Sequence, residues 1–371
     1  MDKKIRVAVL YGGKSGEHEV SLQSAASVIR HLDRERFEVI PISIDKQGKW
    51  QWNDLQLIEK AQATALPIFR DAPEMRLSSQ SDGRASLLPV TGSSSGFRDI
   101  DVFFPVMHGP LYEDGAAQGL LELADVAYVG SGVLGSAVSM DKDISKRLAG
   151  LNGLPIAPYI AVARQRYRRD PAHWLATAQA KFTLPVFVKP CNMGSSVGVH
   201  KVKNWDALHD ALTDAFQYDL KVLIEQGIDA REVEVAVLDG DPLFISVASE
   251  INPAGGHEFY SYEAKYLDQD GASVDLPAKL EPEAMARVRS LAGEAFVTLE
   301  CSGMARVDFF LDRQTGDFYF NEINTLPGFT SISMYPKMME ASGLPYPELL
   351  SRLIDLALAR HAERHGLKRE R

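Results

Sequence analysis

The sequence is poor in cysteine. Cys191 and Cys301 are the two in 371 residues, and they stand far apart. No CxxC pair and no Cys/His zinc spacing exists, which excludes a disulfide framework or a structural zinc site of that kind; both thiols are expected to be reduced. No apolar run approaches the ~20 residues that a membrane helix needs. The apolar stretch Val7–Tyr11 behind the charged start stops at Gly12-Gly13. That is too short for the hydrophobic region of a signal peptide, so the expected location is the cytoplasm. Positive charge is also in short supply. Lys and Arg number 40 against 50 Asp and Glu, a formal net charge of −10. Broad binding to nucleic acid or anionic membrane needs clustered cations and is not expected. Glycine and proline are not extreme, and no internal repeat or long low-complexity tract is visible.

What is present is a chain with 45% apolar side chains, long enough for two or three α/β units. Ile5–Tyr11 reads as a buried strand, Ser21–Leu32 as a helix and Phe37–Ile44 as the next strand. The Ser-, Gly- and Asp-rich stretch from Asp71 to Arg98 reads as a loop or insertion. Val102–Met107 is a strand that delivers His108-Gly109 at its C-terminal end, where open α/β sheets bind ligands. Val126–Val129 is a further strand, and the first unit is expected to span 1–132. A second, 133–228, begins with a helical stretch and carries strands at Val186–Lys189, Val199–Val202 and Val222–Glu225, with a helix over Trp205–Phe216. A third, 229–371, holds alternating strands from Glu232, a polar loop His257–Val274, a helix over Pro282–Leu299, a hairpin over Ala305–Asn324 and a last helix from Tyr346 to His365.

Two glycine motifs suggest nucleotide sites and fail on inspection. Gly130-Ser131-Gly132-Val133-Leu134-Gly135 fits GxGxxG, but no acid stands about 20 residues on to hold a ribose. An inter-domain turn is the better reading. Gly13-Lys14-Ser15 ends like a phosphate loop, but the first glycine of that motif would fall at Ala8, in mid-strand.

Three constellations carry chemistry. Gly12 to Ser21 joins a strand to a helix, so its amides and the acids Glu17 and Glu19 gather at a helix start, where an anion can be held; a plain capped helix would look similar. Lys189-Pro190 precedes the loop Gly194-Ser195-Ser196-Val197-Gly198, a hairpin whose amides can fold over a polyphosphate beside a lysine charge. The third is the strongest. In the hairpin Arg306-Val307-Asp308 … Asn321-Glu322-Ile323-Asn324, residues two apart share a face. A turn at Thr315-Gly316 then brings Asp308 opposite or next to Glu322. Two acids and an amide converge as a hard cation requires. The following Pro327-Gly328 turn, with its hydroxyl residues, can present donors to a carboxylate or an oxyanion, or be a plain turn and helix cap.

Taken in order, Gly12-Gly13…Glu17-His18-Glu19-Val20-Ser21, His108-Gly109…Glu113-Asp114-Gly115, Met140-Asp141-Lys142, Lys189-Pro190…Gly198, Glu263-Ala264-Lys265-Tyr266, Arg306-Val307-Asp308 and Asn321-Glu322-Ile323-Asn324-Thr325-Leu326-Pro327-Gly328 resemble the D-alanine–D-alanine ligases from near residue 5 to beyond 335. The resemblance implies a three-domain ATP-grasp fold whose N-terminal domain is doubly wound α/β. It implies an enzyme that activates one D-alanine as an acyl phosphate with ATP, then joins it to a second D-alanine for peptidoglycan. It assigns Lys142, Lys189 and Lys265 to the phosphates, Glu225, Gln226, Ile228 and Glu232 to the adenosine, and Asn321 to the ATP site. Asp308, Glu322 and Asn324 would hold two Mg²⁺ or Mn²⁺ ions. Glu17, Ser195 and Tyr266 form its hydrogen-bonded set around the first D-alanine, near His108. Arg306 and the Gly328 amide form its oxyanion site, and Ser333 and Met334 its second-substrate pocket. His257–Val274 would be a mobile lid, and dimers are usual in the family. Tyr112 departs from the family's usual glycine and Met334 from its leucine. Cys191, beside the phosphate loop, is expected to be an unreactive thiol. A D-alanine–D-lactate ligase, another carboxylate–amine ligase, a nucleotide-binding regulator and a dehydrogenase remain as rivals; the lid tyrosine, the acids of the hairpin and the missing ribose acid weigh against them.

Overall fold

The structure, a computed structural model, describes residues 3–61, 64–68, 72–79, 85–90, 98–253 and 272–368. The expected lid, with Glu263, Lys265 and Tyr266, lies almost wholly outside them. Three sheets follow one another along the chain. The first has β1 (Ile5–Gly12), β2 (Phe37–Ile44), β3 (Trp50–Trp52), β4 (Glu74–Ser79), β5 (Ala85–Pro89), β6 (Arg98–Ile100), β7 (Val102–Pro105) and β8 (Ala127–Tyr128), with helices α1 (His18–His31), α2 (Leu55–Ala61) and α3 (Ala116–Leu123). Two helices, α4 (Val133–Met140) and α5 (Lys142–Leu151), lead to the second sheet of β9 (Tyr159–Ala163), β10 (Val186–Pro190), β11 (His200–Val202) and β12 (Lys221–Gln226), with α6 (Arg164–Arg169), α7 (Pro171–Lys181) and α8 (Leu208–Tyr218). The third has β13 (Ala230–Leu238), β14 (Phe244–Pro253), β15 (Ala272–Asp275), β16 (Met304–Asp312) and β17 (Phe318–Asn324), with α9 (Pro282–Thr298), α10 (Met334–Ala341) and α11 (Tyr346–His365). No described helix is long and apolar enough to cross a membrane.

In the first sheet the order is β6-β5-β4-β3-β2-β1-β7-β8, and β2, β1, β7 and β8 run parallel. Strand β1 is covered on both faces, which is why its sequence is a continuous apolar run and not an alternation. The chain leaves β1 toward β2 on one side and reaches β7 on the other. Their C-terminal ends therefore flank a switch point, where a crevice opens. The stretch read as loop from Asp71 to Arg98 is corrected here: β4 and β5 pair antiparallel within it and extend the sheet. Met75 and Leu87 are buried there, so tertiary pairing outweighs a composition that argues for turns.

The second sheet is antiparallel, in the order β11-β10-β12-β9, and packs Val186, Val188, Val222 and Ile224 against Leu208, Leu212 and Phe216 of α8. The third, β15-β14-β13-β16-β17, is also antiparallel; it buries the inward face of β13, β16 and β17 against α9. The first and third units are not separate bodies. One core runs from Val7, Val9 and Phe104 through Phe329 and Tyr335 to Met338, Leu349 and Leu353. Phe329 is its joint. Its ring lies 5.9 Å from Phe104, 5.8 Å from Tyr335 and 6.1 Å from Tyr346. Truncation of this buried ring is expected to cost about 3–5 kcal/mol. Chemical denaturation of Phe329→Ala should show that loss, and Phe329→Leu should retain most of the stability.

Candidate active site

A cleft of about 1310 Å³ opens between the second and third sheets and reaches the C-terminal end of β1. Every site residue expected from the sequence, apart from Lys265 and Tyr266, which lie outside the described residues, lines this one cleft.

Its floor is built on helix α5. The Asp141 side chain caps that helix by accepting from the amides of Asp143 and Ile144. The cap fixes Lys142 at the first helical position and puts Lys146 one turn later on the same face. Lys142 Nζ lies 2.9 Å from Glu322 Oε2 and donates to the Met193 carbonyl at 2.8 Å. Burial pulls the Lys142 ammonium down, but the Glu322 carboxylate more than offsets it, so the charged form is favoured. Lys146 is wholly buried; its Nζ is 2.8 Å from Glu225 Oε2 and donates to the Phe320 carbonyl at 3.1 Å. Glu225 turns its other oxygen to Lys189 Nζ at 2.5 Å, and Lys189 also reaches Asn321 Oδ1 at 3.3 Å. Burial works to raise the Glu225 carboxyl, but the two ammonium groups outweigh it and hold it at about 2. Lys146 was not singled out in the sequence. Its signal was there, a lysine four residues after Lys142 on an N-capped helix.

The wall is the β16–β17 hairpin with β13 beside it. Asp308 stands opposite Glu322 and Arg306 opposite Asn324, as the turn at Thr315-Gly316 required. The register slips between Asp308 and Phe309, leaving Asn321 as an extra residue on β17. Without that bulge, strict alternation would send Asn321 and Glu322 to opposite faces; with it, both line the cleft. Arg306 grips Asp308 with two bonds, 2.8 and 2.7 Å, and its Nε is 3.2 Å from Glu234. Burial opposes the Arg306 charge, and Asp308 and Glu234 more than compensate, raising its pKa well above the usual value. Sequence spacing gave Arg306 and Asp308 a shared face, as found, and Glu234, from the neighbouring strand, completes the set.

At the β1 end, Ser195 donates to Glu17 across the mouth of the cleft. Ser195 and Ser196 both hold left-handed backbone, φ 54° and 57°, which aims this loop at Glu17. Ser15 Oγ donates to the His108 carbonyl at 2.6 Å, joining the loops that follow β1 and β7. The His108 ring is buried between Leu326 O (3.1 Å), Ser24 Oγ (3.2 Å) and Glu113 (3.8 Å). Burial lowers its pKa, and Glu113 reverses that to a net rise. Tyr112 does not line the cleft. Its ring covers Gly13, where a Cβ would sit 2.6 Å from it, and its hydroxyl accepts the Lys14 amide at 3.0 Å. The ring thus finds space beneath the loop and braces it. Gly328 is glycine for a similar reason, since a Cβ there would lie 2.7 Å from Ser333 Oγ. Ser333 precedes α10, and Met334 opens it.

Two side chains expected to face nucleotide are occupied elsewhere. Gln226 donates to the carbonyls of Thr183 and Gly227 and accepts the Thr183 amide at 3.0 Å, so it clamps the β12 end. The Glu225 carboxylate is held between its two lysines. Cys191 is fully buried, and burial pushes its thiol up, in keeping with an unreactive role. Gly130, Gly132 and Gly135 stay out of the cleft. A Cβ at Gly135 would lie 2.3 Å from the Glu300 carbonyl, so that glycine lets α4 pack closely.

The Glu225 pair predicts an acid response. Its folded carboxyl titrates below the unfolded value of 4.5, so its stabilisation is complete above about pH 4.5 and is lost as pH falls toward about 2. Stability measured by denaturant should therefore fall more steeply through this window in the parent protein than in Glu225→Gln, which starts lower.

A family model described as D-ala D-ala ligase N-terminus matches residues 6–131, and one described as D-ala D-ala ligase C-terminus matches residues 148–355. The sequence is 69% identical over 369 residues to D-alanine–D-alanine ligase A of Bradyrhizobium diazoefficiens, covering 100% of this chain and 99% of that one. Among solved structures, the VanG D-Ala:D-Ser ligase of Enterococcus faecalis superposes with a TM-score of 0.82 at 34% identity, over 96% of this chain and 100% of that one. The D-alanine–D-alanine ligase of Coxiella burnetii gives 0.78 at 34% identity, over 98% and 96%. With both halves of the chain matched and the three sheets set around the cleft as described, this protein belongs to the D-alanine–D-alanine ligase family and has its ATP-grasp fold.

Proposed function

We propose that the cleft joins two D-alanine molecules into D-alanyl-D-alanine at the expense of ATP, releasing ADP and phosphate, for peptidoglycan synthesis. The observation that carries this reading is the convergence of Lys142, Lys189, the Arg306/Asp308/Glu322 wall and the Glu17–Ser195 tie on one cleft, in a chain 69% identical to such a ligase.

In this reading the second and third sheets hold ATP, with Ile228, Glu232 and the backbone of Glu225–Gln226 along the adenosine. Lys142, Lys189, Asn321 and Lys265 hold the phosphates. Glu17 binds the ammonium of the first D-alanine and His108 lies beside it. Its carboxylate oxygen attacks the γ-phosphorus, the bond to ADP breaks, and D-alanyl phosphate forms. The amine of the second D-alanine, its carboxylate held at Ser333 and Met334, then attacks the acyl carbon. Arg306 and the Gly328 amide take up the charge on the tetrahedral oxygen, a task worth several kcal/mol when donors are preorganised. Collapse expels phosphate and leaves the peptide bond. The donor set Asp308, Glu322 and Asn324, all oxygen ligands, fits two Mg²⁺ or Mn²⁺ ions, which when bound would screen the charge on the β- and γ-phosphates. Tyr266 and the 257–274 segment would close over the intermediate and exclude water. The proposed units are 1–132, 133–228 and 229–371, acting as a cytoplasmic homodimer.

The test is phosphate release from ATP with Mg²⁺, with products identified by mass. D-Alanine alone should support release and yield the dipeptide, and L-alanine should not. Release that requires added D-lactate or D-serine would move the chain to a different second substrate. No release with any of them would overturn the reading.

A further inference from the structure

The last helix carries a second constellation, remote from the cleft. His361 and His365 are four residues apart on α11, so their imidazoles stand one above the other on a single face. The rings stack with centroids 5.8 Å apart. Facing them is Asp125, which follows α3 with left-handed backbone, φ 53°, a conformation uncommon outside glycine. Each of its carboxylate oxygens meets a different ring: Oδ1 is 3.5 Å from His361 Nε2, and Oδ2 is 3.1 Å from His365 Nδ1. One donor atom from each residue lies within 4.8 Å of the other two. None of the three lines the catalytic cleft.

We propose that Asp125, His361 and His365 form a site for a borderline divalent transition metal ion, with Zn²⁺ as the representative. Two imidazoles and one carboxylate are a recurrent zinc set, and paired histidines one turn apart are how a helix offers two of them. With metal–ligand bonds of ~2.0–2.2 Å, donors around a tetrahedral ion stand roughly 3.3–3.5 Å apart. The Asp–His separations of 3.5 and 3.1 Å run to different oxygens of Asp125, and one donor atom from each residue lies within 4.8 Å of the others, so a small rotation of the carboxylate would set one oxygen at ligand spacing from both rings. His365 is the most exposed of the three and has room to close any wider separation. His361 Nε2 lies 3.0 Å from the Asp125 carbonyl, so metal binding exchanges that hydrogen bond for a ligand bond and moves its proton to Nδ1 or to solvent. Water fills the remaining position.

The neighbours show what such an ion would do. Arg364 pairs with Glu122, and Arg360 donates to the carbonyls of Tyr128 and Gly130 and to Ser302 Oγ at 2.7 Å. These contacts fasten α11 to the first sheet, and the ion would add a staple at the end of the same seam. It is an effect on stability, transmitted by mass action, with no part in turnover.

Untagged protein stripped with EDTA and held in excess Mg²⁺, which occupies oxygen-ligand sites, is titrated with ZnCl₂ by calorimetry and by thermal melting. The parent should bind one more Zn²⁺ than the variants and melt higher with Zn²⁺, reversibly with EDTA. His361→Gln, His365→Gln and the near-isosteric Asp125→Asn should each weaken that site by roughly tenfold or more and lose the melting shift, with phosphate release from ATP unchanged. Absence of Zn²⁺ uptake in the parent overturns the proposal, as does uptake that persists undiminished in all three variants.

Discussion

The cleft depends on one buried carboxylate held between two ammonium groups. Glu225 is almost wholly inaccessible, and an isolated charge at that depth would cost several kcal/mol. Lys146 and Lys189 take one oxygen each. Because the three residues come from α5, β10 and β12, satisfying the charge fixes how that helix meets the second sheet. Lys146 also holds the Phe320 carbonyl, and Lys189 reaches Asn321, so the third sheet is tied to the same point. A buried ion group of this kind is weak evidence for stability, but it specifies one arrangement of three elements. Here that arrangement is the floor of the cleft.

The same balance runs up the wall. Lys142 pairs with Glu322, and Arg306 with Asp308 and Glu234. The inner set is therefore four cations, Lys142, Lys146, Lys189 and Arg306, against four carboxylates, Glu225, Glu234, Asp308 and Glu322. On the proposed function, an incoming triphosphate and its cations would enter as a matched pair of charges: phosphate oxygens toward the lysines, cations toward the acids. The internal pairs would be exchanged for external ones at low reorganisation cost, because the partners already stand at the right places. Lys146 has no such exchange available, since it has no exposed surface and keeps Glu225.

Much of this was legible in the sequence because short-range rules governed it. The hairpin register followed from alternation and a Thr315-Gly316 turn, and brought Asp308 opposite Glu322 as expected. Of the two glycine motifs, the one at Gly130–Gly135 proves to place Gly135 where a Cβ would meet the Glu300 carbonyl, so that glycine serves helix packing. What could not be read depended on contacts between distant segments. Strands β4 and β5 lie in a turn-rich stretch and exist because the sheet edge offers partners. The bulge that turns Asn321 toward the cleft leaves no mark in its own residues. Glu234 joined the Arg306 group through a neighbouring strand, and Gln226 proved to be a clamp because Thr183 and Gly227 happen to face it. Tyr112, which departs from the family's usual glycine, finds its place against Gly13, a contact the local sequence does not reveal.

The exchange of internal for external charge is the centre of this account, and Glu322 tests it most directly. On the proposed function, Glu322 would hold Lys142 away from phosphate in the absence of any divalent cation, and breaking such a charge-assisted bond costs about 1.5–3 kcal/mol. Calorimetric titration of metal-free ATP into the parent and into Glu322→Gln should show the variant binding about tenfold tighter or more. Equal or weaker binding by the variant would contradict the account, because Lys142 would then be free for phosphate whether or not Glu322 carried its charge.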